Sequence, residues 1–284
     1  MMIGDDMSIN YILDNELKYI EPVEKGLRKH NNSFTSGITS GSLKLYLVSD
    51  HEIKACIECS HFWDWVEVEK IYYEDYDALK ILFNEVYKKY NGKLNAIYYK
   101  THDNKRLNDL KKVGFKTVGK IADKPLNFTT EELVDYEMTV DEMSHHYEIV
   151  LGPKENDPYQ DKFNQLINEY NKSINYSDDF EEVFYVAFDD DKVIGGVYGE
   201  LSNNYLYVSV IWVDEAYRGH NIATTLLDKI ESYSIDKGYK RSFLETGSFQ
   251  AKEFYEKKGY EVISTLYNFP KGHDMYTMVK SIKF

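Results

Sequence analysis

Apolar residues recur along this chain in two rhythms. Short runs rich in Val, Leu, Ile and Tyr, at residues 43–48, 183–188 and 205–213, are bounded by charged or polar turns and predict strands. Between them the period lengthens. Phe163, Leu166, Ile167 and Tyr170 fall at i, i+3, i+4 and i+7 and predict a helix over 161–173. Ile222, Leu226, Leu227, Ile230 and Tyr233 form the apolar stripe of a second helix over 222–238, and residues 76–92 read alike. Further strands are expected at 193–200, 204–213, 242–246, 261–266 and 275–281, the last two joined by a turn at 268–272. Such alternation predicts an α+β fold of the three-layer α/β type, with helices on a mixed, mostly antiparallel sheet.

The pattern occurs twice. Residues 246–260 have a counterpart at 101–115, an offset of 145 residues. In both, a strand ends at Thr, a small polar residue (Ser248 or Asp103) is placed to cap a short helix, and a Lys-rich last turn stops at Gly259 or Gly114. The same offset carries Ala223 onto Ala78 and Leu227 onto Leu82. Several landmarks at one spacing point to a duplication. Two tandem domains are therefore expected, 1–141 and 142–284, with 133–140 as the last strand of the first copy and 161–173 as the early helix of the second.

One turn carries candidate chemistry. Arg218, Gly219, His220, Asn221, Ile222 and Ala223 follow the strand that ends in Ile211, Trp212 and Val213, and they open the helix at 222. The first N–H groups of a helix lack intrahelical partners and form an anion seat. Gly219 lets a ligand approach the backbone, Asn221 tolerates left-handed geometry, and Arg218 adds a charge suited to phosphate. In the first copy the same turn reads Tyr73, Glu74, Asp75, Tyr76, Asp77 and Ala78, three carboxylates where an anion would lie.

Composition narrows the classes. A formal net charge of −14 disfavours a nucleic-acid or anionic-membrane binder. No apolar run reaches membrane-span length and the start lacks an apolar leader, so a soluble, cytoplasmic protein is expected. Two cysteines argue against a disulfide framework; Cys56 and Cys59 stand at C-x-x-C spacing, but without a second pair they read as core, and no metal is expected. The pair His145 and His146 reads as a linker feature. The aromatic stretch 61–65 reads as core or as a wall of an acceptor pocket.

On these residues the second copy resembles the GNAT superfamily of acyl-CoA-dependent N-acyltransferases. The family pattern Gln/Arg-x-x-Gly-x-Gly/Ala stands here as Arg218 to Ala223, with Asn221 in place of the first Gly of its Gly-x-Gly/Ala end. A second signature, a helix whose tyrosine precedes a Lys-x-Gly-aromatic stop, stands as Tyr255 before Lys257, Gly259 and Tyr260. The resemblance covers roughly 145–284. It implies acetyl-CoA as co-substrate, its pyrophosphate held by Arg218 and the amides around Gly219, His220, Asn221, Ile222, Ala223 and Thr224. It implies that the pantetheine arm runs beside Ile211, Trp212 and Val213, where a backbone N–H serves as oxyanion donor. Tyr255 is implied as general acid for the leaving thiolate. Ser248 stands where the family often has an Asn that contacts pantetheine. No motif fixes the base: Glu245, Asp214, Glu200 and an ordered water chain remain. Tyr255 maps onto Leu110 in the first copy, which has no proton to give.

The expected function is acetyl transfer by direct attack of a primary amine of a small molecule or peptide, since no cysteine stands in the second copy. An acyl-CoA sensor and a protein N-acetyltransferase are the alternatives. Tandem copies within one chain suit a monomer.

Overall fold

A computed structural model of the protein describes residues 9–35, 40–90, 96–101, 103–121, 128–134, 148–152, 157–174 and 179–282. From the N-terminus run β1 (Ile9–Leu13), α1 (Ile20–Asn32), β2 (Ser40–Ser49), β3 (Glu52–Phe62), β4 (Trp65–Tyr73) and α2 (Tyr76–Lys89). Then come β5 (Ala96–Thr101), α3 (Asn104–Val113), β6 (Lys116–Ile121), β7 (Phe128–Val134), β8 (Glu148–Gly152) and α4 (Gln160–Ser173). The remainder holds β9 (Glu181–Asp189), β10 (Lys192–Ser202), β11 (Tyr205–Val213), α5 (Ile222–Asp236), β12 (Arg241–Gly247), α6 (Lys252–Lys257), β13 (Glu261–Leu266) and β14 (Met275–Ser281). The expected elements fall within a few residues of their observed bounds. Of the strand expected at 133–140, only 133–134 fall in β7; residues 135–147, with the 141/142 boundary and the histidine pair at 145–146, lie outside the described residues.

The chain forms two compact units, and each is discontinuous. One comprises Met1–Ser36, Asp178–Ile263 and Met275–Phe284; the other comprises Gly37–Ser177 and Ser264–Asp274. This partition differs from a cut at 141/142. The helix expected to open the second copy, α4, packs instead on β3 and β4. The opening strand and helix of the chain, β1 and α1, pack with β9, β10 and β11. The periodicity that marks a helix does not encode which sheet face it covers, and the two sheets offer equivalent faces.

In the first unit the strand order is β1-β9-β10-β11-β12-β14. All neighbours are antiparallel except β11 and β12. Side chains alternate between two cores. Val183 and Ala187 face α5 with Leu226, Leu227 and Ile230, whereas Phe184, Val186 and Phe188 face α1 with Val23. The unit is thus three layers deep, with α1 and α5 on opposite faces.

In the second unit the order is β8-β2-β3-β4-β5-β7-β6, with β4 and β5 the parallel pair. Leu43, Leu45 and Leu47 face α2, and Tyr46 and Val48 face Phe163 and Ile167 of α4. Cys56 and Cys59 fall into these two separate cores, on opposite faces of β3. Burial raises the pKa of both thiols. Trp65 is buried; its indole N–H donates to the Asn268 carbonyl at 3.1 Å, and Phe269 packs on its ring.

Candidate active site

The site begins with a broken ladder. β11 and β12 pair only from Leu206 to Val208 against Ser242 to Leu244. Just beyond, the register of β11 on β10 shifts: Val210 pairs with Tyr198 but Val208 with Gly199, leaving Ser209 as an extra residue. A bulge of this kind reverses which face later side chains occupy. Leu206 and Val208 face α5, and beyond the bulge Ile211 and Val213 do so, while Val210 and Trp212 face α1. Past the end of the shared ladder, the two strands border a cavity of about 470 Å³.

The cavity is lined from both faces of the sheet. Leu27, His30 and Phe34 line it on the α1 side; Ala223, Phe254 and Tyr255 line it on the α5 side. Ser209, Ile211, Val213, Glu245 and Thr246 form its strand walls. Leu244 belongs to the α5 core, so Glu245, the next residue of β12, points to the α1 side. Below Val213 a turn leads into α5. Gly219 has φ +84° and Asn221, the N-cap, φ +61°. The first intrahelical bond is donated by Thr225 to Asn221, so the amides of Ile222, Ala223 and Thr224 precede it. The Asn221 side chain makes no capping bond, and no acidic residue stands in the first turn of α5. The anion seat is not filled by the helix's own side chains.

In comparisons with known proteins, the profile of the Acetyltransferase (GNAT) family matches residues 141–260. Acetyltransferase Atu2258 of Agrobacterium fabrum is 32% identical over 92 residues, 32% of this chain and 67% of that protein. The chain belongs to the GNAT acetyltransferase family. Blasticidin-S acetyltransferase of Streptomyces morookaense is 28% identical over 99 residues, 34% of this chain and 73% of that protein. A solved acetyltransferase from Bacillus cereus is 31% identical, covers 46% of this chain and 96% of its own, and has a TM-score of 0.41.

For a GNAT acetyltransferase the sequence-derived candidates sort as follows. Ile211, Trp212, Val213, Arg218, Ala223, Glu245 and Tyr255 all line the cavity. Arg218 Nε donates to the Val213 carbonyl at 3.3 Å. A Cβ on Gly219 would meet nothing within 4 Å, so the positive φ is what calls for glycine there. The Ile222 side chain is buried in the core, leaving only its amide for a ligand. His220 Nδ1 lies 3.2 and 3.1 Å from the Tyr217 and Arg218 carbonyls, so this side chain braces the turn. Thr224 and Ser248 lie outside the cavity lining. Ser248 is exposed at the tip of the β12–α6 turn. It does not cap the following helix, whose N-cap is Ala251. Gln250 organises that turn instead. Its carbonyl accepts from the Gly247 amide at 2.7 Å, and its amide donates to Asn31 Oδ1 at 2.9 Å.

Tyr255 is buried, edge-on to Phe254 and Tyr260. Burial pushes its ionisation above that of a free phenol, so it keeps its proton. Among the candidate bases, Asp214 accepts from the Ala216 amide at 3.0 Å and pairs with Lys192 at 2.9 Å; that lysine leads in lowering its pKa. Asp214 and Glu200 lie outside the cavity lining, as do residues 61–65 and His273. Glu245 lines it, with the Thr277 hydroxyl donating to its carboxylate at 3.4 Å.

Sequence reasoning missed the α1 wall. Gly26 lies against Trp212, where a Cβ would stand 2.1 Å from the indole. His30 is edge-on to Phe34 at 5.1 Å, and Phe34 stacks on Phe249 at 5.9 Å. Burial and then the Arg218 charge lower the His30 pKa, opposed by Glu215 and by a hydrogen bond to the Phe249 backbone. A glycine in a helix pattern beside a lone aromatic partner was the available signal, but it lies more than 180 residues from Trp212. Among the described residues no group of three or more His, Cys, Asp or Glu is gathered to hold a metal, and no helix is long and apolar enough to cross a membrane.

Proposed function

We propose that this protein is an N-acetyltransferase that uses acetyl-CoA to acetylate a primary amine of a small molecule or peptide. The carrying observation is the cavity between β11 and β12, lined from both faces of the sheet, with a protonated tyrosine on one side and a carboxylate and an imidazole on the other. The residues fit the coenzyme. The unfilled amides that open α5 and the Arg218 side chain suit a pyrophosphate. The stretch of β11 beyond its pairing with β12 has backbone groups available to an extended arm.

When bound, acetyl-CoA supplies an acyl group activated as a thioester. The chain's own residues then have separate tasks. The amides of residues 211–213 orient the carbonyl and receive its developing charge. Tyr255 holds a proton on its phenol oxygen on the α5 side, where a thiolate would leave. Leu27 and Phe249 give the acceptor apolar surface beside the cavity. A relative named Blasticidin-S acetyltransferase supports a small-molecule acceptor.

The Gly37–Ser177 unit is, in this reading, a second GNAT-like copy without a coenzyme seat. Asp75 caps α2 by accepting from the Ala78 amide at 2.9 Å, so a carboxylate occupies the place an anion needs. Leu110, at the counterpart of Tyr255, is buried core.

A thioester-consumption screen over an amine panel tests the function, with wild type and Tyr255→Phe side by side. The variant is expected to lose on the order of 10²- to 10⁴-fold in kcat while calorimetric affinity for coenzyme A is retained. Binding of acetyl-CoA without turnover of any amine by wild type would make the protein a sensor and overturn the proposal.

A further inference from the structure

Two side chains on the α1 side of the cavity can accept a proton, Glu245 and His30. They differ in how they are held. His30 stands on a helix of 13 residues. Its ring is fixed edge-on against Phe34 and by a hydrogen bond to the Phe249 backbone. A neutral imidazole that donates through one nitrogen presents a lone pair on the other. The charged and titratable groups around it are Arg218 and Glu215 from the turn before α5, Glu245 on β12 and Tyr255 on α6.

We infer that His30, from the opening helix of the chain, takes the proton from the acceptor amine, opposite Tyr255 across the gap between β11 and β12. The inference rests on the acetyltransferase reading and adds to it the group that serves as base. The amine nitrogen bonds to the acyl carbon and the carbon–sulfur bond breaks. One amine proton passes to the imidazole, and the Tyr255 phenol proton passes to the departing thiolate. Solvent then returns a proton from His30 to Tyr255, so the balance closes without a further reactant. Burial and then the Arg218 charge lower the ring's pKa, which favours the neutral form that can accept a proton. The ring's fixed seat against Phe34 and the Phe249 backbone favours it over Glu245 as the base.

The test combines kinetics with a titration that needs no turnover. In wild type, kcat/KM for a good acceptor should show a rising acid limb with its midpoint below 6.5, because the shift of His30 is downward. NMR titration of the His30 ring in the free protein should give the same midpoint. His30→Gln should abolish that limb and lower kcat by on the order of 10²- to 10³-fold, leaving KM and coenzyme A affinity within about 2-fold. The limb that belongs to the acceptor's own amine should persist. Glu245→Gln should keep the His30 limb. A His30→Gln enzyme that retains the limb, or an NMR midpoint that disagrees with the kinetic one, overturns the assignment. A wild type that acetylates no amine at any pH overturns the function itself, and the two failures are thereby told apart.

Discussion

Gly26→Ala is the sharpest probe of the α1 wall, because two familiar effects oppose each other there. In an unobstructed helix the change stabilises by about 1 kcal/mol through propensity. Here the new Cβ would stand 2.1 Å from Trp212 Cε2, 2.5 Å from Cζ2 and 2.6 Å from Nε1, whereas ordinary contact begins at 3.4 Å. The indole or the helix must recede by roughly 1.3 Å, an overpacking that costs about 1–3 kcal/mol. The net expectation is a loss of about 1 kcal/mol, or roughly 2–4 °C in Tm. Catalysis should suffer more than stability. Trp212 lies between Ile211 and Val213 in the wall of the cavity, and a misplacement of about 1 Å costs on the order of 10²-fold, or about 2.7 kcal/mol of transition-state stabilisation. Thermal unfolding by circular dichroism and thioester-coupled kcat/KM measure the two quantities on one preparation. Adding Trp212→Phe removes the atoms that clash and should recover the lost stability, a non-additive result. A Gly26→Ala protein that is more stable than wild type and fully active would refute the packing of α1 on β11 and its part in the site.

Two further outcomes follow from the same geometry. Arg218→Ala should weaken coenzyme A binding by about 10- to 100-fold in calorimetry, the loss of a hydrogen bond to a charged group; unchanged affinity would remove Arg218 from the anion seat. Phe269→Ala should cost about 3–5 kcal/mol in urea unfolding, because this 4%-exposed ring packs on Trp63, Trp65 and Tyr98 at 5.6, 4.7 and 5.5 Å; a change below about 1 kcal/mol would refute its place in that core.

The strands and helices were legible because their periods are local. The stripe Ile222, Leu226, Leu227 and Ile230 points into one core, as its spacing requires. The turn at 218–224 was legible because glycine, a left-handed residue and a helix start leave a mark within seven positions. Two things were not. The bulge at Ser209 is a property of register between β10 and β11, and the run Tyr205–Val213 shows only an unbroken strand. The placement of β1, α1, β8 and α4 was not legible, because the period of a strand or helix does not say which neighbours it joins. The edges of β9 and β2 each take one antiparallel partner, β1 and β8 respectively, and each sheet takes one helix on the face opposite its long helix. Ser248 misled for a related reason: capping chemistry in sequence does not fix the residue at which a six-residue helix starts.

The candidate site divides by chain segment as well as by sheet face. In the proposed reading the coenzyme side is built from β11, the turn before α5, and α6, all within residues 205–257. On the opposite side the cavity takes its wall from Leu27, His30 and Phe34, in a segment that precedes the whole second unit. The two walls are joined through Trp212 on Gly26, through Gln250 on Asn31, and through Phe249 on Phe34 and His30. Substitutions in α1 away from those joints should therefore reshape that wall while leaving the turn before α5 and Tyr255 untouched. In the proposed reading, acceptor choice rests on α1 and thioester handling on residues 205–257.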